Sequence, residues 1–530
     1  MNVAFDKWIP VVTTGGQREL ASLCEVLASG QRFADLAVRP HERVALMRLL
    51  LCVAHAALEG PQDYDAWCEV PSCLPGAAIR YLETWKSSFE MFHPATPWLQ
   101  VVGLRAVDKE DSTREKTSPV AFLDFELATG NSSTLLDHQG MAESRLIELP
   151  RTALNLLTFQ NFSLGGGLPI AQWDATRTKQ VGNPDAPCIS QSMAHCLLRG
   201  DCIAETLHLN LPTRERVERT YGGLQSNQRR TDAFGRPVWE RFPTSPTDSA
   251  GIENATMTYL GRLVPVSRWV RLLEGTDRMH CCNGFKYDTY KDGFPAEPTA
   301  AVHVVAKRGK KGIQTQDRQV VGVTPDKAIW RDLPSLLVQR SAEGLGGPLA
   351  MDNANNDREF DFHVCAMIRD QASMDVGVES VFRVSPALKT NVAAYREEVQ
   401  YAELASQCLR AAIEVYRIEV DGYWRRRMET TPAKDQTKLR NRLSQTAFLS
   451  YWTAVEKSLP QLMAYIKAIG TDNKLPTQDT WRNTLRSSAR DAYRTACSPE
   501  TPRQIRAFAE GWKRLLQRRD EPAPVDKEDS

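Results

Sequence analysis

The sequence lacks the long apolar runs that membrane-spanning helices require. Its 530 residues contain no stretch of roughly 18 or more apolar residues, which is about the length of a spanning helix. The opening, Met1 to Trp8, has no charged segment followed by an apolar one, so it does not look like a secretion signal. We therefore expect a cytoplasmic protein with no membrane partner.

Paired metal ligands and catalytic motifs are also scarce. The twelve cysteines are scattered, and neither His280-Cys281-Cys282 nor His195-Cys196 is followed by a second pair at the spacing of structural zinc sites. The sequence contains no Walker loop, no Gly-x-Ser-x-Gly elbow and no His-Glu-x-x-His helix. These absences favour a reduced protein that is not an enzyme and has no cofactor or metal.

Charge is nearly balanced over the whole chain but uneven along it. The formal net charge is +1, yet residues 381 to 519 contain 25 Lys and Arg against 14 Asp and Glu. Such asymmetry between parts of a chain is typical of proteins with a polyanionic partner. The apolar and charged fractions, 42% and 25%, are those of ordinary globular proteins, so we expect a well-folded chain.

The order of predicted elements divides the chain near residue 384. Short strands alternate with helices before this point, whereas helical periodicity dominates after it. The sequence therefore predicts an α+β protein with a large mixed α/β N-terminal domain, residues 1–384, and a C-terminal four-helix bundle, residues 385–519. The Pro-rich acidic tail, residues 520–530, is expected to be disordered.

Individual elements follow from apolar spacing and from Gly and Pro punctuation. Residues 41–58 have the spacing of a buried helix, with Arg43 and Arg48 on its other side. Prolines break the next segment, so a helix is expected only from residue 81 to residue 89, and residues 258–264 are expected to form a strand. A β-hairpin is expected over residues 360–384. The predicted bundle helices cover residues 387–423, 437–469, 477–496 and 502–518.

Three consecutive glycines, Gly165, Gly166 and Gly167, stand between apolar flanks. Glycine adopts positive φ readily and lets a ligand or another backbone approach closely, so the main chain itself is a candidate for recognition here. The spacing does not fit a phosphate-binding loop. The alternative is a flexible turn held by Phe162 and Leu168.

Four arginines recur at every fourth position of the third bundle helix. Because an α-helix has about 3.6 residues per turn, this spacing forms a ridge that drifts slowly around the helix. One interpretation is contact with DNA phosphates. The other is pairing with acidic groups on neighbouring helices or exposure to solvent. The ridge consists of Arg482, Arg486, Arg490 and Arg494.

Seven stretches, in this order and followed by a helical bundle, resemble the CasA family, the large subunits of type I-E CRISPR Cascade surveillance complexes. The resemblance covers most of the chain. Its motifs are Met1 to Pro10, Val44 to Leu58, Ser133 to His138, Gly165 to Gly167, Pro237 to Glu240, Tyr259 to Pro265, and Arg369 to Ser373.

The resemblance implies a subunit that works in antiviral defence without catalysis. Such a subunit recognises the protospacer-adjacent motif in double-stranded DNA, starts unwinding and R-loop formation, and recruits a helicase-nuclease. Its other implied partners are the 5′ handle of the guide RNA and the backbone, handle-binding and small Cascade subunits. The basic bundle matches the part of the family that meets the small subunit and guides the displaced strand.

The resemblance also implies roles for individual residues. The three glycines match the loop that enters the minor groove, and Lys286 matches a lysine that contacts the same groove. Gln371 matches the wedge that separates the strands. The loop containing Leu136, Asp137 and His138 matches the one that docks on the guide handle, and Leu136 stands where an aromatic residue is common.

Two other functions remain open at this point. One is a metal-dependent nuclease that uses Asp137 and His138, although a lone Asp-His pair in a polar loop is more often a local hydrogen bond. The other is a helical-bundle adaptor that binds only proteins. An adaptor of that kind would show no salt-sensitive affinity for DNA, whereas phosphate contacts weaken steeply as salt rises.

Overall fold

The structure is a computed structural model of the whole chain, of which most residues are described. The expected acidic tail, the expected guide-handle loop and Gln371 lie outside the described residues. The described ranges are residues 1–108, 111, 113–127, 146–178, 185–222, 232–308, 314–354, 357–370, 373–420 and 433–517.

Contacts divide the chain into two compact units, Met1–Val384 and Ser385–Ser530. The first unit mixes strands with helices, and the second is helical where it is described, so the predicted α+β class is confirmed. The division into an N-terminal domain, a four-helix bundle and a tail stays a prediction. Among the described helices, none has both the length and the apolar character that a membrane crossing requires.

Strands of the first unit pair into small antiparallel sheets. Two of them carry the site discussed below: one with strand order β5-β10-β9 and one with order β14-β13-β8. The described strands are β1 Ile9–Thr13, β2 Arg18–Ala21, β3 Phe33–Leu36, β4 Leu104–Val107, β5 Ser118–Pro119, β6 Ile170–Trp173, β7 Thr176–Arg177, β8 His195–Arg199, β9 Arg268–Leu272, β10 Arg278–Asn283, β11 Val302–Arg308, β12 Gln314–Val320, β13 Phe360–Asp370 and β14 Ser373–Val384.

The first unit also contains helices, one of which, the second in chain order, is buried over most of its length. They are α1 Leu23–Ala28, α2 Pro40–Leu58, α3 Tyr64–Thr84, α4 Leu149–Phe162, α5 Ile203–Leu209, α6 Arg214–Tyr221, α7 Ser249–Met257, α8 Tyr259–Leu263 and α9 Leu333–Leu336. The helices of the second unit are α10 Pro386–Thr390, α11 Val392–Val420, α12 Ala433–Lys457, α13 Leu459–Ala468, α14 Lys474–Ala496 and α15 Pro502–Leu516.

Helix α2 crosses the core of the first unit, as its apolar spacing predicted. The sequence placed Arg48 on the side away from the apolar face, but the structure buries it completely. Its guanidinium pairs with Glu297 at 2.8 Å, and Arg262 pairs with the same carboxylate at 2.7 Å. Burial raises the pKa of Glu297, but the two arginines outweigh this effect and lower it to about 2. The carboxylate therefore stays charged inside the core.

Helix α3 is longer than the sequence predicted, because Pro71 and Pro75 lie inside it rather than ending it. Proline removes a helical hydrogen bond, and tertiary packing of the apolar face compensates for that loss here. Asp63 caps the first turn through the N–H of Ala66. The buried face consists of Trp67, Val70, Leu74, Ala77, Ala78 and Leu82.

The expected strand over residues 258–264 is wrong, because this segment forms helix α8. Thr258 acts as the N-cap, and its hydroxyl accepts a hydrogen bond from the N–H of Gly261 at 3.2 Å. A Cβ on Gly261 would lie 1.9 Å from the carbonyl oxygen of Asn254. Local capping and a close approach that only glycine permits therefore override the strand propensity of the segment.

The second unit contains the predicted helical region with two differences. The expected helix over residues 387–423 is two helices, α10 and α11, which are separated at Asn391. The expected helix over residues 437–469 is two helices, α12 and α13, which meet at Ser458. Pro460 stands in the first turn of α13, where it lacks the N–H that a continuous helix would use. Buried aromatic hydroxyls join the helices: Tyr451 donates to the carbonyl of Ala402 at 2.8 Å, and Tyr493 donates to that of Phe508 at 3.1 Å.

Candidate nucleic-acid interface

The three glycines lie in the segment between α4 and β6. Gly165 is half-buried, whereas Gly166 and Gly167 are exposed. A Cβ built on Gly166 or Gly167 would meet no atom within 4 Å, and neither residue adopts the left-handed φ that favours glycine. The fold therefore supplies no internal reason for glycine at these two positions. Their main chain is open to contact with a second molecule.

Asp185 connects the glycine segment to the β13–β14 hairpin. Its Oδ1 accepts a hydrogen bond from the N–H of Gly165 at 2.9 Å, and its Oδ2 accepts one from Nη1 of Arg369. The main-chain N–H of Arg369 donates to the hydroxyl of Ser192 at 3.1 Å. Since Arg369 stands two positions before Gln371, the structure brings the glycine segment to the end of β13 that leads to the expected wedge residue.

Arg268 holds the start of the glycine segment from the other side. Its buried guanidinium donates to the carbonyl of Leu164 at 2.7 Å and to that of Ser267 at 2.6 Å. Burial lowers the pKa of Arg268 to about 10. Helix α4 docks at the same point, because Gln160 exchanges hydrogen bonds with the main chain of Arg268. The position of Leu164 is therefore fixed by the core of the first unit.

Lys286 follows β10, and the residues just before it contact Ser267, the neighbour of Arg268 in the chain. A Cβ on Gly284 would lie 2.5 Å from the carbonyl carbon of Ser267, so this approach requires glycine. Ser267 in turn lies with its hydroxyl 3.2 Å from that of Ser163, at the start of the glycine segment. The structure therefore connects the predicted lysine segment and the glycine segment through Ser267.

The Lys286 side chain itself is exposed to solvent. Its Nζ lies 2.8 Å from a carboxylate oxygen of Asp288, and this hydrogen bond raises the pKa of Lys286. The lysine therefore carries its charge at neutral pH. Because both partners are in contact with solvent, the pair contributes little to stability and is readily exchanged for a phosphate or base contact.

Two anchoring residues, Asp185 and Arg268, were not predicted from the sequence. Asp185 is 20 residues from Gly165, and Arg268 is 104 residues from Leu164. No motif or periodicity marks either of them, because contacts over such separations depend on the folded topology.

A cavity of about 330 Å³ lies beside the end of β13 that leads to Gln371, and it was also not predicted. Its lining mixes apolar residues with the polar residues Gln191, His303, Lys327 and Arg369. Lys327 pairs there with Asp332. The cavity places polar side chains next to the strand that leads to Gln371.

The arginine ridge on α14 is only partly available for a polyanion. Arg482 donates to the buried carboxylate of Glu398 at 2.6 to 3.1 Å, and its guanidinium stacks over Tyr401 at 4.7 Å. The sequence allowed pairing with acidic groups on neighbouring helices as one of two interpretations, and Arg482 is paired in this way. The contact of Arg482 with a displaced strand stays a prediction.

The other three arginines of the ridge differ in exposure. Arg486 is half-buried, and its Nε has no hydrogen-bond partner among the described residues. Arg494 pairs with Asp491 on its own helix at 2.9 Å and lies over the ring of Trp512. Arg490 is exposed. The half of the ridge with Arg490 and Arg494 is therefore the part more open to solvent.

Comparisons with known proteins place this geometry in a family. The model of the family described as CRISPR-associated protein Cse1 matches residues 2–492. The CRISPR-associated protein CasA/Cse1 of Thermus thermophilus is 28% identical over 537 residues, which cover 96% of this chain and 95% of that protein.

Solved structures share the fold over nearly the whole chain. The crystal structure of CasA from Thermus thermophilus superposes with a TM-score of 0.69 at 23% identity, covering 97% of this chain and 98% of that one. Thermobifida fusca Cse1 gives a TM-score of 0.70 at 18% identity with the same coverage. A chain of a CRISPR RNA-guided surveillance complex gives 0.70 at 17% identity, covering 97% and 99%. Because its model matches more than nine-tenths of the sequence, the chain belongs to the Cse1 family of CRISPR-associated proteins.

Proposed function

We propose that the protein is the non-catalytic large subunit of a type I-E CRISPR Cascade complex. In this role it recognises the protospacer-adjacent motif in double-stranded DNA, starts unwinding and R-loop formation, and recruits a helicase-nuclease. The observation that carries the proposal is the exposed main chain at Gly166 and Gly167, where the fold itself does not require glycine. Family membership supports the assembly, since one solved structure with this fold belongs to a CRISPR RNA-guided surveillance complex.

The glycine segment suits the minor groove of DNA. This groove is only about 6 Å wide and displays mainly acceptors, with the guanine amino group as the additional donor. Bare main chain at Gly166 and Gly167 fits such a slot, and it tolerates several motif sequences because the minor-groove pattern is degenerate. Lys286 supplies a mobile donor and a positive charge for the acceptors and phosphates nearby.

Strand separation is assigned to the hairpin. Arg369 is held by Asp185 and by Ser192, so the turn end of β13 is fixed relative to the glycine segment. A wedge at Gln371 then unstacks the first base step, which costs a few kcal/mol and lets the guide begin to pair. Glutamine suits this position because it is long, uncharged and able to hydrogen-bond an exposed base.

The remaining contacts are assigned to two other parts of the chain. The loop with Leu136, Asp137 and His138 would dock on the 5′ handle of the guide RNA. The ridge on α14 would guide the displaced strand, with Arg490 and Arg494 as its exposed members. The backbone, handle-binding and small subunits of Cascade complete the set of partners.

The test is motif-dependent binding by the assembled complex. Cascade reconstituted with this subunit should bind a target with a matching motif more tightly than one with a scrambled motif. Gln371→Ala should leave binding to the duplex motif nearly intact but slow R-loop formation, measured by permanganate reactivity of unpaired thymines. Unchanged R-loop rates with Gln371→Ala would overturn the wedge. Metal-dependent DNA cleavage by the isolated protein, lost on His138→Ala, would favour a nuclease instead.

A further inference from the structure

Three metal-ligand side chains lie together on one face of β13 and β14. His363 and Cys365 are two positions apart on β13 and therefore point to the same side of the sheet. Glu379 on β14 stands directly opposite Cys365. One ligand atom from each residue, an imidazole nitrogen, a thiol sulfur and a carboxylate oxygen, lies within 4.8 Å of the other two. No other such group of three occurs in the described part of the chain.

We propose that His363, Cys365 and Glu379 bind a zinc ion, with water or another small ligand at the fourth position. Nitrogen, thiolate and carboxylate are the ligand types that zinc takes in proteins, and three protein ligands plus an open position is a common arrangement. The site is independent of the DNA contacts proposed above.

The distances fit a tetrahedral site after a small adjustment. Nε2 of His363 lies 3.1 Å from Oε2 of Glu379. Around a tetrahedral zinc these two atoms would stand about 3.4 Å apart, and a nitrogen and a thiolate sulfur would stand about 3.6 Å apart. Since every pair already lies within 4.8 Å, no ligand atom needs to approach another by more than about 1 Å. The His-Glu hydrogen bond would be replaced by two bonds to the metal.

The three side chains of the cluster differ in burial, and this difference suits a metal site. His363 and Cys365 are buried, whereas the side chain of Glu379 is 49% exposed. An ion therefore has an entry path past the carboxylate. Burial raises the pKa of Cys365 to about 12 and lowers the pKa of His363, so in the metal-free protein the thiol and the imidazole are both uncharged, and binding through Nε2 would shift the imidazole proton to Nδ1. Zinc would displace the thiol proton on binding.

The charged neighbours of the cluster are already paired. Arg43 bonds to a carboxylate oxygen of Asp35 and donates to the carbonyl of Leu36 at 2.9 Å. Arg199 pairs with the other oxygen of Asp35 at 3.0 Å. A zinc ion with one thiolate and one carboxylate would be electrically neutral, so the loaded site would place no net charge beside Arg43.

Nothing in the sequence marks this site, because its ligands do not follow the short paired spacing of structural zinc motifs. His363 and Glu379 are 16 residues apart and meet only through the pairing of two strands. A metal here would join β13 to β14 on the hairpin that leads to residue 371.

The experiment is metal analysis and cobalt substitution of the purified full-length protein. Wild type purified in zinc-containing medium should hold about one zinc per chain, and Co²⁺ added to the stripped protein should give the charge-transfer band of a thiolate-cobalt bond. Cys365→Ser should abolish the band. Glu379→Gln, a conservative change at a half-exposed side chain, should weaken Co²⁺ binding by more than about tenfold.

Cys281→Ser is the matched control, because Cys281 is equally buried, lies on β10 and is not part of the cluster. It should keep the full band. A wild type with no bound zinc and no thiolate-cobalt band would overturn the proposal, and so would an undiminished band in Cys365→Ser. If Cys365→Ser fails to fold, Glu379→Gln decides: unchanged Co²⁺ affinity refutes the site, and a loss of more than about tenfold supports it.

Discussion

A leucine at position 166 should separate folding from DNA recognition. The glycine there is exposed, has no atom within 4 Å of a built Cβ and does not adopt left-handed φ. Gly166→Leu should therefore change the free energy of unfolding by less than about 1 kcal/mol, and a small gain is expected because the unfolded chain loses freedom. Thermal and urea denaturation of the isolated subunit measure this.

The same change should weaken motif recognition strongly. A leucine side chain cannot enter a groove about 6 Å wide without displacing the main chain from the base edges. We expect the assembled complex to lose at least tenfold in affinity for motif-bearing DNA, which corresponds to about 1.4 kcal/mol, at one fixed salt concentration. Affinity for DNA with a scrambled motif should change much less, because phosphate contacts dominate non-specific binding.

Gly15→Leu provides the matched control. Gly15 is also exposed, lacks left-handed φ, and a Cβ there would meet only the Thr13 hydroxyl at 3.7 Å. This variant should keep both stability and motif-dependent binding. Equal affinities for Gly166→Leu and Gly15→Leu would refute the minor-groove assignment, and marked destabilisation by Gly166→Leu would refute the claim that the fold does not need glycine there.

Three further changes test the anchors, the ridge and the buried histidines. Asp185→Asn should lower motif-dependent affinity about fivefold in a binding titration, since it removes the charge that holds Arg369 near the hairpin turn, whereas Asp361→Asn at the other end of β13 should not. Arg482→Ala should cost about 2 kcal/mol in urea denaturation by leaving a buried carboxylate unpaired, and Arg490→Ala less than about 0.5 kcal/mol; equal losses would contradict the pairing. Burial lowers the pKa of His195 to about 4, so the unfolded chain binds more protons below its own pKa of about 6.5 and stability falls as pH drops from there towards 4. His195→Gln should flatten that decline, and parallel pH profiles would argue against it.

Local pattern was enough to locate many elements. The apolar residues within 41–58 located α2 to within one residue, because an apolar segment of this length, ended by Gly60 and Pro61, is too long for a strand. Proline rules failed at Pro71 and Pro75, where packing of the apolar face compensates for lost hydrogen bonds. Strand propensity failed at residues 258–264, where an N-cap and a close glycine contact decide the conformation.

The candidate interface also contains some residues that the sequence reveals and others that it does not. The three glycines are visible in the sequence because they are consecutive. Asp185 and Arg268 cannot be recognised in the sequence, because each acts through a long-range hydrogen bond to the glycine segment. The metal-ligand cluster on β13 and β14 belongs to the same class, since strand register alone brings His363 next to Glu379.

Asp185 and Arg268 would also lower the entropic cost of the DNA recognition that we propose for the glycine segment. Fixing the backbone of one residue costs about 1 to 2 kcal/mol, and a free loop spanning residues 163–169 would lose this at every position on binding. Here the carbonyl of Leu164 is held by Arg268 and the N–H of Gly165 by Asp185, and β6 begins at Ile170. Freedom is thereby concentrated at Gly166 and Gly167, so ordering them costs about 2 to 4 kcal/mol. Loosening either anchor should therefore weaken motif binding even though neither side chain needs to touch the DNA.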